Sequence, residues 1–399
     1  MSTHPETTRP TAQEIEGWYS AAACSVEEFA ALVETRTDPA DYPWADDVIQ
    51  NVLIYGRRIQ SALVNEESRR AIQTELAQAL LTGPGIVVFR QAFDPSVVDR
   101  GTKAFEALIA AQKAAGVQSG DHFAKPGAND RVWGALDKLA VSDPAVFADY
   151  YDNDVLALIS TAWLGPEYQV TSQINVVNPG GQAQVAHRDY HLGFMSAEQS
   201  ARFPAHVHQL TAALTLQGAV AHCDMPVETG PTLYLPHSQK YGPGYLAFHQ
   251  PDFTSYFESH YVQLPLVKGD AAFFNPALFH GAGTNRTADV RRMANLLQIS
   301  SAFGRAMETV DRTAVSRALF QVLAARLAAG ASEASINNVI AASAEGYAFP
   351  TNLDRDPPVD GLAPQTQAEL VWQALSEGWS LAAFGKALGE HAHRRKSEV

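Results

Sequence analysis

The chain opens with helical patterning. SVEEFAALVE and RRAIQTELAQALL carry apolar residues three and four apart, the spacing of one helix face. Residues 11–80 therefore read as mainly helical. At GPGIVVFRQAF the period changes. A Gly-Pro-Gly breaker precedes Ile86–Phe89, a short β-rich run that predicts a strand. Asp94 and Pro95 then predict a helix start, as N-cap and first helical residue. Phe105, Leu108 and Ile109 form one stripe of that helix, and Gly116 is placed to end it.

From about 168 to 300 the texture is different. Short β-rich runs follow one another: YQVTSQINVVN, HQLTAALTLQGAV, TLYLP, YVQLPLV, DAAFFN and MANLLQIS. Turn clusters NPGGQ, ETGP, KGD and HGAGTN separate them. Such a series predicts an antiparallel sandwich or barrel. Helical spacing returns with Val315, Ala318, Leu319, Val322 and Leu323, up to Gly330. A Pro/Asp-rich loop then leads to a last helical stretch near 366–390. The expected class is α+β with a mainly β core at 81–304. Residues 1–80 form an N-terminal helical extension, and 305–399 a C-terminal one packed on the core.

Composition narrows the function. The 399 residues carry a net charge of −14. That argues against nucleic acid or an anionic membrane as main partner, since both reward a basic face. A small anionic ligand needs only a local basic pocket. Two cysteines, Cys24 and Cys223, are too few for a disulfide scaffold or a thiolate metal site. The polar start lacks an apolar leader, and no run approaches the roughly 18 apolar residues of a spanning helix. The expectation is a soluble cytoplasmic protein acting on a small molecule, with a homodimer through the helical extensions as a further option.

Thirteen histidines are the first place to look for chemistry. On a strand, His-x-Asp sets an imidazole and a carboxylate on one face. A second histidine from elsewhere would complete a facial triad with open positions on Fe(II). Chance alone yields roughly 1.4 instances of His-x-Asp/Glu in such a chain. Three occur: His4–Glu6, His187–Asp189 and His222–Asp224. The first lies in a polar terminus. The third follows an apolar strand and reads as a strand end with a capping Asp. His187–Asp189, in GGQAQVAHRDYHLGF, enters a strand from a glycine-rich turn, and the pattern alone leaves it open. The distal segment GDAAFFNPALFHGAGTNRTADVRRMANLLQIS adds His280 and, eleven residues on, Arg291. A guanidinium near a metal suits a dicarboxylate, which it pairs bidentately.

With these pieces the chain resembles the phytanoyl-CoA dioxygenase-like group of Fe(II)/2-oxoglutarate oxygenases. The matching segments are GIVVFRQAFDPSVVDR, AHRDYH, VETGPTLYLPHSQK and KGDAAFFNPALFHGAGTNRTADVRR, in order over about residues 80–300. The resemblance implies a double-stranded β-helix with flanking helices. It implies iron at His187, Asp189 and His280, and the 2-oxoglutarate C5 carboxylate at Arg291. It implies use of O2, with succinate and CO2 as products. An acid at 189 favours hydroxylation or another oxidation over halogenation, because related halogenases leave room there for chloride. Two departures stand out. Ala282 replaces the hydroxyl the family often has two residues past the distal His, and PHSQ (236–239) replaces Pro-Gly-Ser-His.

Around this set, Gln173, Asn175 and Val177 share a strand face. That face is either a solvated edge or the wall of a ligand-filled barrel, where the amides of Asn175 and Gln173 would touch cosubstrate. Lys125, Arg131 and His191 are candidate substrate contacts, against solvated-loop or structural roles. Cys223 between His222 and Asp224 reads as a structural thiol, because neighbours on a strand face opposite ways. A metal- or acid-binding barrel without oxygenase activity, a sensor or scaffold, is the rival reading.

Overall fold

The structure is a computed structural model that describes residues 17–116, 128–359 and 361–397. Its strands, in chain order, are β1 (Asp47–Ile49), β2 (Val52–Tyr55), β3 (Ile86–Phe89), β4 (Asn129–Val132), β5 (Gln169–Val177), β6 (Thr215–Ala221), β7 (Leu233–Leu235), β8 (Val262–Gln263), β9 (Ala271–Phe274), β10 (Phe279–Gly281) and β11 (Arg292–Ser300). They form a larger sheet, β1-β2-β3-β9-β6-β11-β5-β4, and a smaller one, β10-β7-β8.

From β5 onward the chain winds between the two sheets. β5 lies in the larger sheet, and His187 then bridges to β10 in the smaller. β6 returns to the larger sheet, β7 and β8 to the smaller, β9 to the larger, β10 to the smaller and β11 to the larger. This alternation is the path of a double-stranded β-helix, a jelly roll closed around its interior.

Away from its β1 edge, the larger sheet is covered on both faces, with different partners. On β11, Met293, Leu297 and Ile299 join the core under the helices, whereas Arg292, Ala294, Leu296 and Gln298 line an internal cavity. Helices Ala135–Ser142, Asp154–Leu164 and Glu333–Ser343 pack against this sheet. Pro95–Ala114 starts where the pattern places it, with the Asp94 carboxylate accepting from the Ser96 N–H, and Gly116 follows with φ +71°.

Four expectations are corrected in detail. The segment before residue 80 is not purely helical. β1 and β2 extend the larger sheet, β2 pairing in parallel with β3, so a boundary at 80 cuts through the sheet. Val52–Tyr55 is fully buried, and too short for its period to stand out between helices. The run from 208 is helical to Ala213 before β6 begins. YVQLPLV forms the two-residue β8 and, past Pro265, a single bridge from Leu266 to Met225, because Pro265 cannot donate to a ladder. The last helical stretch is two helices, Gln367–Ser376 and Leu381–Arg394, parted at Gly378 with φ +66°. Among the described residues no helix is long and apolar enough to cross a membrane.

Candidate metal centre and its cavity

His187 and His280 are brought together by backbone pairing. Each donates its N–H to the other's carbonyl, at 3.0 and 3.1 Å, and their rings lie 4.4 Å apart. Asp189, two residues along, shares the His187 face and donates its N–H to the Pro276 carbonyl. The His-x-Asp spacing thus works as strand geometry requires. Nδ1 of His187 faces the Val185 carbonyl and Nδ1 of His280 the Leu278 carbonyl, both at 2.9 Å. A carbonyl only accepts, so each Nδ1 carries the proton and the ring lone pair lies on Nε2.

Those Nε2 atoms face one carboxylate. Nε2 of His187 is 3.7 Å from Asp189 Oδ1, and Nε2 of His280 is 3.4 Å from Oδ2. One donor atom from each residue fits within a 4.8 Å span, a set that could grip one ion. Burial opposes ionisation of Asp189, yet the facing His187 and His280 rings, with a hydrogen bond from Gln217, hold its carboxyl well below the usual carboxylate range. Two neutral imidazoles and one anionic oxygen suit a divalent first-row metal, so the residues present fit iron.

The triad opens into a cavity of about 520 Å³. Beyond the triad, one set of lining residues is Thr232, Tyr234 and Arg292, and another is Arg131, Trp133, Asn175, Phe194 and Met307. Arg292 is buried, donates to the Gly230 carbonyl, and burial pushes its pKa down to about 10. It remains a cation at neutral pH. Burial likewise pushes the Tyr234 phenol up to about 12.

The basic residue singled out in the sequence is the neighbour of the one that lines the cavity. Arg291 is half-exposed, pairs with Asp130 at 3.1 Å and reaches Asn178. The reason is strand parity. Odd positions of β11 pack under the helices and even positions face the cavity, so the twelfth residue past His280 turns inward. Met293, Leu297 and Ile299 carry that signal, but only once the helix-backed face is known.

Asn175 lines the cavity, whereas Gln173 is fully buried beside it and does not. Gln173 accepts from Arg131 and lies 3.5 Å from the Met307 sulfur. Arg131 lines the cavity with its guanidinium 4.3 Å above the Trp133 ring. His191 does not follow Asp189 along a strand. The chain turns at Tyr190 and His191, with φ of +65° and +43°, and His191 Nδ1 meets Thr211 Oγ1 at 2.6 Å. Lys125 lies outside the described residues. Gln217, Gln298 and Arg292 are cavity residues the sequence reading did not single out. Their shared inward parity could have flagged them.

Fold and donor set together define a double-stranded β-helix with a His-Asp-His centre facing its cavity. The sequence profile of the phytanoyl-CoA dioxygenase (PhyH) family matches residues 82–293, more than half of the sequence. The chain belongs to that family. A curated relative, dioxygenase trt7 of Aspergillus terreus, is 31% identical over 153 residues, covering 38% of this chain and 43% of the relative. The matched region thus spans less than half the length of that relative. Among solved structures, AviO1 from Streptomyces viridochromogenes Tue57 is 17% identical, with a TM-score of 0.41, over 58% of this chain and 96% of that one. The non-heme alpha ketoglutarate dependent carbocyclase SnoK from nogalamycin biosynthesis is 19% identical, with a TM-score of 0.39, over 60% and 84%. These likenesses are partial, and the fold assignment above rests on the strand order.

Proposed function

We propose that the protein is a non-haem Fe(II)/2-oxoglutarate-dependent dioxygenase that oxidises a C–H bond of a small molecule, by hydroxylation. The observation that carries this reading is the triad itself: two Nε2 lone pairs and one ionised carboxylate aimed at a common point beside a cavity. His187, Asp189 and His280 hold the iron. When bound, iron, 2-oxoglutarate and O2 supply the oxidising power, with succinate and CO2 released.

The chain's own residues bind and orient. Arg292, rather than Arg291, pairs the C5 carboxylate of 2-oxoglutarate, because it is the inward cation. Tyr234 lies opposite His280 in the register of β7 and β10. Counting on in that register sets Thr232 opposite Ala282, so Thr232 supplies the hydroxyl that Ala282 lacks. Asn175 contributes an amide to the cosubstrate. Arg131, over Trp133, and the apolar Phe194 and Met307 receive the substrate and keep bulk water from the centre. Lys125 and a homodimer through the outer helices remain part of the proposal, the latter measurable by light scattering.

Anaerobic addition of Fe(II) and then 2-oxoglutarate tests the reading. The expected result is a visible charge-transfer band, lost in the His187→Ala, Asp189→Ala and His280→Ala variants. Succinate release from 2-oxoglutarate across a substrate panel then separates an oxygenase from a binding scaffold. Absence of both signals would leave only the scaffold.

A further inference from the structure

Gln217 is a cavity residue whose two amide atoms do different work. It sits on β6, nearly fully buried, between Gln298 on β11 and Phe274 on β9 in the sheet register. Its Nε2 donates to Asp189 Oδ2. Its Oε1 is buried without a hydrogen-bond partner. Flipping the amide would set Oε1 against an ionised carboxylate, acceptor to acceptor, so the donor must face Asp189. A stranded buried carbonyl is unfavourable, and it is tolerated here with the donor held on the carboxylate.

The rest of Asp189 is held as well. Its N–H goes to the Pro276 carbonyl, its carbonyl accepts from the Tyr245 hydroxyl at 3.2 Å, and the next residue, Tyr190, donates to Gln298 Oε1. With the backbone fixed, the remaining freedom is rotation of the carboxylate. That rotation decides how many oxygens reach a metal.

We infer that Gln217 is a positioning residue for the metal centre: by occupying Oδ2 it leaves Asp189 a single oxygen for the ion. A bidentate carboxylate would fill a coordination position that a 2-oxo acid and oxygen need. The inference rests on the metal-centre reading above and adds a residue to it.

The test is Mn(II) titration of the metal-free full chain, followed by electron paramagnetic resonance. Gln217→Met keeps the volume and removes the donor. We expect its Mn(II) affinity to fall about 10- to 100-fold, while the melting temperature of the metal-free protein stays within a few degrees of the parent. The absorption of the Co(II)-loaded protein should change shape as the carboxylate rotates. Gln217→Asn, one methylene too short, should lose the same affinity and carries the test if the methionine variant does not fold. If the parent binds Mn(II) and both variants bind within twofold of it, the inference is overturned while the metal centre stands. If the parent itself does not bind, both fall.

Discussion

His187-Arg188-Asp189 and His222-Cys223-Asp224 share one sequence pattern and have opposite fates. At His187 one ring nitrogen is spent on a carbonyl and the other faces Asp189 and His280 across the cavity wall. At His222 both are spent. Thr102 donates its hydroxyl to the Val98 carbonyl, so His222 Nδ1 donates to Thr102 Oγ1 at 2.9 Å. Nε2 then accepts from the Tyr150 hydroxyl at 2.9 Å. Asp224 turns elsewhere and accepts from the Lys268 N–H. A histidine is placed to serve as a metal ligand where one ring nitrogen faces an acid and a second histidine, and is a core residue where the fold takes up both nitrogens.

The largest expected effect separates the two motifs by readout. Asp189→Ala should reduce Fe(II) binding and substrate-dependent succinate release below detection, with the fold intact. His222→Ala should leave metal binding near the parent's and cost roughly 3 kcal/mol of stability, because it strands the Tyr150 hydroxyl in the core. Urea melts and metal titrations of both variants would show whether the roles cross.

A second contrast sharpens the inward and outward arginines. Arg292→Met should weaken 2-oxoglutarate binding about 100-fold, the scale of a buried charge-assisted pair. Arg291→Met should change it less than twofold and cost under about 1 kcal/mol, as exposed ion pairs do. Isothermal titration with 2-oxoglutarate distinguishes them, and equal losses would return the anchor to Arg291.

Acid should reveal His222 next. Burial, with the nearby Lys268 charge, pushes its pKa down to about 3. Below the unfolded value of about 6.5 the unfolded chain takes a proton that the folded one refuses. Its stabilising contribution is therefore full above about pH 6.5 and declines as pH falls toward 3. His222→Gln, which cannot titrate, should flatten that part of the stability curve. An unchanged slope would remove His222 as its source.

The smallest effect is expected at His191. His191→Ala should cost about 1 kcal/mol through the lost Thr211 contact and leave metal and 2-oxoglutarate binding unchanged. A large loss of binding would move His191 back toward the site.

Much of this molecule was legible before folding was considered. The strand at 86–89, the Asp94 N-cap and the β-rich middle follow from local periods and turn chemistry. The strand spacing of His187 and Asp189 is equally local: two positions along an extended chain meet on one face. The pairing of His187 with His280, 93 residues apart, is not, and it entered through family resemblance. Three decisions belonged to tertiary structure alone. Which face of β11 holds the cavity selects Arg292 over Arg291, because both faces are buried and alternation alone is symmetric. Whether a histidine's second nitrogen is taken up in the core depends on partners such as Thr102 and Tyr150, brought near from other elements. The turn at Tyr190 sends His191 to Thr211 instead of along the metal face. Periodicity encodes what a residue does relative to its neighbours in the chain, and only packing assigns those faces to helix, cavity or metal.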